Sequence, residues 1–400
     1  MSQRFMLVYC GLLMTISAFS TDIILPAMGL MRDSFATTIE TVQMAVPAYM
    51  AGLGTGQLFF GPASDRFGRR AMVLCALIVF STGTIACLLA PSIEWLLVGR
   101  FVQGLGGGAV QVIARAIVRD RSTGDELAQN MALISAIFAI GPILAPLAGY
   151  ATTASGMWQG AFMALGGLTL VLLTLAFRST ETLGLPTRDA LSPPALLRRT
   201  GRVLRHPQSR RFILFGGLAM TALLSYLANA PRLFIDRLGT TPFAFVLFFA
   251  LSSTGIIVGQ LANRRMIRRL GTVTASTIAA AVLCLSASMI ALIDLAGLSS
   301  PWSLCLCMLI FNTSYLVVFA NAISLTLDPH GEIAGFTAAF SGFASATVAS
   351  LLSAIITSLA GGAILPWALA MLVLAVACLC MLLDWRFRTQ PALRQAARPS

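Results

Sequence analysis

The sequence contains no lysine: all 27 basic residues among its 400 are arginines. That absence excludes a phosphate-loop lysine and a Schiff-base lysine in this chain, so nucleotide hydrolysis and lysine-based covalent catalysis are not expected. Charge of either sign is scarce, at 10% of residues. The two histidines, His206 and His330, fall in polar loops without a partner at metal-ligand spacing, so no metal site is expected. Eight cysteines (Cys10, Cys75, Cys87, Cys284, Cys305, Cys307, Cys378 and Cys380) all lie within apolar runs, where a free thiol packs as a small hydrophobe. With so few titratable groups there is no catalytic constellation, and a membrane-embedded enzyme is not expected.

Apolar residues, by contrast, make up 57% of the chain, and the mean hydropathy is +0.85. A water-facing surface of ordinary polarity cannot cover such a chain, so its solvent is lipid. Apolar runs long enough to cross a bilayer recur at 5–28, 41–61, 71–90, 95–117, 127–151, 157–177, 212–232, 242–262, 272–295, 302–326, 332–359 and 363–384. The first is too long for a signal-peptide core and is expected to remain as a span. An all-α membrane protein of twelve transmembrane helices follows. The longest polar stretch, rich in arginine and proline, divides it into an N-terminal six-helix bundle (1–178), a central loop (179–211), a C-terminal six-helix bundle (212–384) and a tail (385–400).

The net charge of +12 does not imply a nucleic-acid partner, because the arginines sit in one set of alternating loops. With the N-terminus in the cytoplasm, that side holds Arg4, Arg66, Arg69, Arg70, Arg115, Arg119, Arg121, eight from Arg178 to Arg211, Arg264, Arg265, Arg268, Arg269, Arg386, Arg388, Arg394 and Arg398. The other side has Arg32, Arg232 and Arg237, a split of 23 to 3 that places both termini inside by the positive-inside rule. Gly56-Gln57-Leu58 before Arg69-Arg70 is echoed six spans later by Gly259-Gln260-Leu261 before Arg264-Arg265, as in transporters built from repeats. Nothing demands a partner chain, so a monomer is expected.

The loop after the second span reads Gly61-Pro-Ala-Ser-Asp65-Arg66-Phe-Gly68-Arg69-Arg70. It resembles the GxxxDRxGRR signature of the major facilitator superfamily, which implies a conformational gating loop of Gly61, Asp65, Arg66, Gly68, Arg69 and Arg70. Arg100-Phe-Val-Gln103-Gly104-Leu-Gly106-Gly107-Gly108-Ala109 in the fourth span is similar to the second motif of that superfamily. Arg100, Gln103, Gly107 and Gln111 follow spacings of three, four and four and so share one helix face. An arginine within a span is either a functional residue or one that snorkels to the interface.

Ser20-Thr21-Asp22-Ile-Ile-Leu25-Pro26 is similar to the STDxYLP segment of the bicyclomycin and chloramphenicol resistance group of twelve-span drug:proton antiporters, with Ile24 in place of the tyrosine. Asp22 and Arg100 lie about six and five residues from the same end of their spans, at similar depth, so a pair across the cavity is expected to serve proton coupling. Ala139-Ile-Gly141-Pro142-Ile-Leu-Ala145-Pro146-Leu-Ala148-Gly149 in the fifth span resembles the antiporter motif built on GPxxGG, with Ala148 replacing one glycine, and implies export. Arg115, Arg119 and Asp120, Asn321, Ala334-Gly335 and Trp158 extend the resemblance, while Gln159 stands where the group has arginine.

Polar and aromatic residues suited to lining a cavity are Tyr49, Gln57, Gln103, Gln111, Tyr226, Asn229, Asn312 and Tyr315, each equally suited to hydrogen bonding between helices. The resemblance implies a bacterial inner-membrane exporter of small amphiphilic drugs or antibiotics. It would be driven by the proton gradient without a cofactor and would work by alternating access. The same residues also suit export or import of one endogenous metabolite such as a sugar, amino acid or nucleoside.

Overall fold

Glycine decides how closely the helices approach. The computed structural model describes residues 3–184 and 191–396, so Arg188 and Arg398 lie outside the described residues. Twelve long helices follow one another: α1 (Gln3–Asp22), α2 (Ala45–Phe67), α3 (Arg69–Leu88), α4 (Ile93–Arg121), α5 (Gly124–Thr153), α6 (Gln159–Phe177), α7 (Pro207–Pro231), α8 (Pro242–Leu270), α9 (Thr272–Leu295), α10 (Pro301–Leu327), α11 (Ala334–Ala360) and α12 (Ile364–Ala396). Each expected span coincides with one of them, and no strand occurs among the described residues. Among the described residues, ten apolar stretches are long enough to cross a membrane. One, Pro301–Ala360, contains both α10 and α11, and α2 completes the twelve. The first span is not one continuous helix. It breaks after Asp22, passes through a tight turn at Leu25–Ala27 where Pro26 lacks an N–H, and resumes over Met28–Ser34. Pro142 and Pro146, by contrast, are carried within the unbroken α5.

α2 and α4 touch backbone to backbone. A Cβ on Gly56 would lie 2.1 Å from the carbonyl oxygen of Leu105, and one on Gly108 would lie 1.9 Å from that of Leu53, so only glycine fits. The small-xxx-small pairs Gly52/Gly56 and Gly104/Gly108 thus do in this chain what such pairs do between membrane helices, where dispersion rather than water exclusion drives packing. α8 meets α10 by the same device through Gly255 and Gly259. The first six helices pack among themselves, as do the last six, and the two sets meet along α2 with α11 and α5 with α8.

The polar connection after α6 is not all loop. It contains a linker helix, Pro193–Arg205, which buries Ala195 and Val203 and packs with Phe336 and Phe340 of α11 while leaving Leu197 and Leu204 exposed. The basic α2–α3, α4–α5 and α6–linker connections converge at one end of the molecule, where Arg70 Nη2 donates to the Phe177 carbonyl and Arg121 Nη2 to that of Glu181. At the other end the halves are joined by the Arg232–Glu40 ion pair at 2.5 Å and by Tyr150 against Phe243, ring centroids 5.5 Å apart.

Candidate functional site

Arg100 is fully buried and does not snorkel. Its Nε donates to the carbonyl of Ala45 at 3.3 Å, and its Nη1 donates to Ser20 Oγ at 3.0 Å and to Gln103 Oε1. The guanidinium lies 4.3 Å from the ring centroid of Tyr49, a contact worth about 2 kcal/mol when desolvated. Tyr49 is held by donation of its hydroxyl to the Ser17 carbonyl at 2.9 Å, and Gln103 by donation to Thr84 Oγ1 at 2.8 Å. Every partner of this cation is neutral, and its Nη2 is buried without a hydrogen bond.

Asp22 closes α1 at 3% exposure, with Oδ1 lacking any donor. The expected pair with Arg100 is not formed: no ion pair joins them among the described residues, and Arg100 acts on Asp22 only through space. Helix geometry explains the difference. Ser20 faces Arg100, and a residue two positions further along is turned by roughly 200°, so Asp22 presents another face. A buried carboxylate without a donor costs several kcal/mol unless it is protonated or meets a ligand.

Facing this wall is a neutral one from the second half. Tyr226 stacks on Phe249 (5.6 Å between centroids, 11°) and shares a hydrogen bond with Ser252 Oγ at 2.9 Å, and it lies within electrostatic reach of Asp22. Asn312 Nδ2 donates to the Ser252 carbonyl at 3.0 Å and Asn229 Nδ2 to Thr357 Oγ1 at 3.1 Å, but both amide oxygens are buried without a donor. Trp367, fully buried, donates from Nε1 to Ser225 Oγ at 3.1 Å and lies 6.3 Å from Tyr226.

The remaining cavity candidates are placed elsewhere. Gln57 donates to Gln111 at 2.6 Å, about 16 Å along α4 from Arg100, with Gly342 of α11 against its amide oxygen. Tyr315 stacks on Phe319. Gly141 and Gly149 of α5 face α1, where a Cβ on Gly149 would lie 2.1 Å from the Ile23 oxygen, next to Asp22. Sequence reasoning missed Trp367, whose signal was an indole near the start of a span, and Ser252 and Thr357, which carry no signal of their own in so serine-rich a chain.

The segment expected to be a gating loop is helical on both sides of Gly68, with Gly61, Asp65 and Arg66 in α2 and Arg69 and Arg70 in α3, and it carries a charge lattice. Arg69 is 3% exposed and pairs with Asp65 at 2.7 Å and Asp120 at 2.8 Å, and its Nη1 donates to Ser64 Oγ at 2.6 Å. Gly61 packs on Ala339 of α11. Gly68, at φ +96°, turns the chain so that the N–H groups of Arg69 and Arg70 donate to the carboxylate of Glu181, 2.9 and 3.1 Å away. Glu181, unread in the sequence, caps the first turn of α3 from the far side of α6. Partial burial alone would raise its pKa, but four backbone N–H donors, of Leu183, Arg69, Arg70 and Thr182, hold it below the usual carboxylate range. Arg66 sits over Phe67. His206 and His330, read as isolated, meet with ring centroids 5.4 Å apart.

The Major Facilitator Superfamily model matches residues 10–354. Among curated proteins the chain is 28% identical over 353 residues to an uncharacterized MFS-type transporter, YdgK, of Bacillus subtilis, covering 86% of this chain and 87% of that one. It is 24% identical to a bicyclomycin resistance protein homolog of Haemophilus influenzae, covering 87% and 88%, and 31% identical to the multidrug resistance protein MdtL of Klebsiella pneumoniae over half of each chain. Among solved structures it is similar to the xylose transporter XylE from E. coli in a partially occluded inward open conformation (TM-score 0.76, 13% identity, 96% and 97% covered) and to the human organic anion transporter MFSD10 (TM-score 0.71, 20% identity, 96% and 99% covered).

Proposed function

This chain belongs to the major facilitator superfamily and is a multi-pass membrane transporter of small molecules, and we propose that it exports small amphiphilic drugs or antibiotics in exchange for protons. The observation that carries this reading is Asp22: a buried carboxyl whose Oδ1 lacks a donor, beside a cation whose bonded partners are all neutral and opposite an aromatic wall. Such a carboxyl binds a proton or a cationic or donor-bearing substrate, but not both at once. Open to the outside it takes up a proton and releases substrate; open to the inside it loses the proton and accepts substrate, while the halves rock about α2–α11 and α5–α8. The names of the bicyclomycin and multidrug relatives support the drug assignment, and the resemblance of the Gly141–Gly149 segment of α5 to the antiporter motif supports export. The bacterial relatives support a place in a bacterial inner membrane, the arginine split supports both termini in the cytoplasm, and a monomer suffices for this cycle.

A second reading, transport of one specific metabolite, is favoured by the free amide oxygens of Asn229 and Asn312, fixed acceptors suited to the hydroxyls or amines of a single polar solute. One assay separates the two. Inverted vesicles are energised, and proton efflux is followed on adding unrelated cationic and neutral antibiotics or single metabolites, with wild type and Asp22→Asn side by side. Several unrelated drugs dissipating the gradient only in wild type is the expected result. Undiminished exchange by Asp22→Asn removes the coupling role, and a response to one metabolite alone removes the drug assignment.

A further inference from the structure

The linker helix and the α10–α11 turn enclose a cleft of about 660 Å³ at the basic end of the molecule. Arg198, Arg202 and Arg205, spaced four and three apart on one helical face, line it together with His206 and His330. This is a concentration of positive charge with little to balance it. Arg202 pairs at 3.1 Å with Glu332, itself largely exposed, and no ion pair of Arg198 or Arg205 occurs among the described residues. Arg199, by contrast, faces away from the cleft and sits over Phe336.

The floor of the cleft is built. His330 is 2% exposed, with Nε2 fixed on Ser209 Oγ at 2.9 Å, and Ser209 is held in turn by the Thr326 carbonyl at 3.2 Å. The Nδ1 atoms of both His206 and His330 are buried without a partner. Burial first, and then the neighbouring His206 and Arg202, hold the pKa of His330 below the ordinary histidine value, so positive charge in the cleft adds to the effect of burial.

The rim is apolar. Leu197, 73% exposed, lines the same cleft, and Leu204 is exposed on the same helix. Free phosphate would use the arginines and leave these leucines in water, whereas an amphiphile with an anionic head and acyl chains satisfies both. We infer that this cleft is a binding site for the phosphate headgroup of an acidic phospholipid, held by Arg198, Arg205 and the histidine pair, with its acyl chains leaving over Leu197. Such a lipid ties the linker helix to the turn that starts α11, the helix that meets α2 at the interface between halves.

The test is native mass spectrometry of the full-length protein, titrated separately with phosphatidylglycerol, phosphatidylcholine, glycerophosphate and inorganic phosphate. Phosphatidylglycerol is expected to bind first and tightest. Arg198→Gln/Arg205→Gln should weaken that first step about thirtyfold, at about fivefold per arginine near an anionic headgroup. Arg198→Lys/Arg205→Lys should restore most of the affinity. Removing the same charge from the C-terminal end of α8, by Arg264→Gln/Arg268→Gln, should change it by less than about twofold, because those arginines do not line the cleft. Equal losses in the two glutamine variants would reduce the cleft to general surface charge and overturn the inference. Binding of glycerophosphate or inorganic phosphate as tight as that of the lipid would overturn the lipid assignment. All substituted positions are exposed arginines outside the Asp22 site, so failure here leaves the drug:proton reading standing, and failure of that reading leaves this one testable.

Discussion

The two halves share a framework but not a chemistry. α2 lies on α4 through Gly56 and Gly108, and α8 on α10 through Gly255 and Gly259, each with backbone oxygens where a side chain would have to go. Upon that common packing the first half sets a buried cation and a buried acid, and the second half sets aromatic rings, hydroxyls and two free amide oxygens. The cation's bonded partners are all neutral and Oδ1 of the acid is left without a donor, so among the described residues it is the first half that brings a carboxyl able to change charge to the centre. Repetition has preserved what helix contact requires. What differs is the polar chemistry set on it, and on the proposed antiport reading that difference divides coupling from recognition between the halves.

Removing the cation tests that division most severely. Arg100→Met leaves Ser20, Gln103 and the Ala45 carbonyl without their donor and uncovers Tyr49. The loss expected is about 3 kcal/mol or more, about 1 kcal/mol or more for each of the three acceptors left buried and unpaired. Its counterpart on the neutral wall, Tyr226→Phe, loses one hydrogen bond to Ser252 at a cost of about 1 kcal/mol. Thermal melting in detergent should separate the two variants clearly. If they melt alike, the charged wall is no firmer an anchor than the neutral one, and the asymmetry fails.

Which parts were legible follows the same line. Spans, the gating-loop motif and the buried arginine were all readable, because lipid forces apolar length, glycine and charge into fixed places in the sequence. The Asp22–Arg100 pair was misjudged because depth along two helices does not give azimuth: Ser20 and Asp22 are two residues apart and face different ways. Glu181 escaped notice because its partners are backbone N–H groups more than a hundred residues earlier in the chain, at Arg69 and Arg70, and no side-chain pattern encodes a cap of that reach. His206 and His330 were dismissed for want of a neighbour at metal-ligand spacing, whereas folding supplied each as the other's neighbour.

On the neutral wall, Trp367→Phe keeps most of the ring and removes the donation to Ser225. Stability should fall by about 1 kcal/mol. The informative reading is kinetic: substrate KM should rise while the proton released per substrate stays as in wild type. A change in that coupling ratio would place part of the proton chemistry in the second half and blur the comparison.

The smallest effect concerns Glu181, at the basic end and outside the lipid. Its folded-state pKa lies below the value of about 4.3 for an unfolded chain, so its contribution to stability is complete above that value and is lost as pH falls through the folded pKa. Glu181→Gln retains an acceptor for the Arg69 and Arg70 N–H groups but cannot titrate. Melting temperature should therefore drop slightly at neutral pH, and the gap to wild type should close as the pH is lowered below about 4.3, because the wild-type carboxylate is then protonated as well. A gap that persists unchanged into acid would mean that the cap works by shape alone, leaving the Asp65–Arg69–Asp120 lattice to supply the charge that fastens α3 at this end.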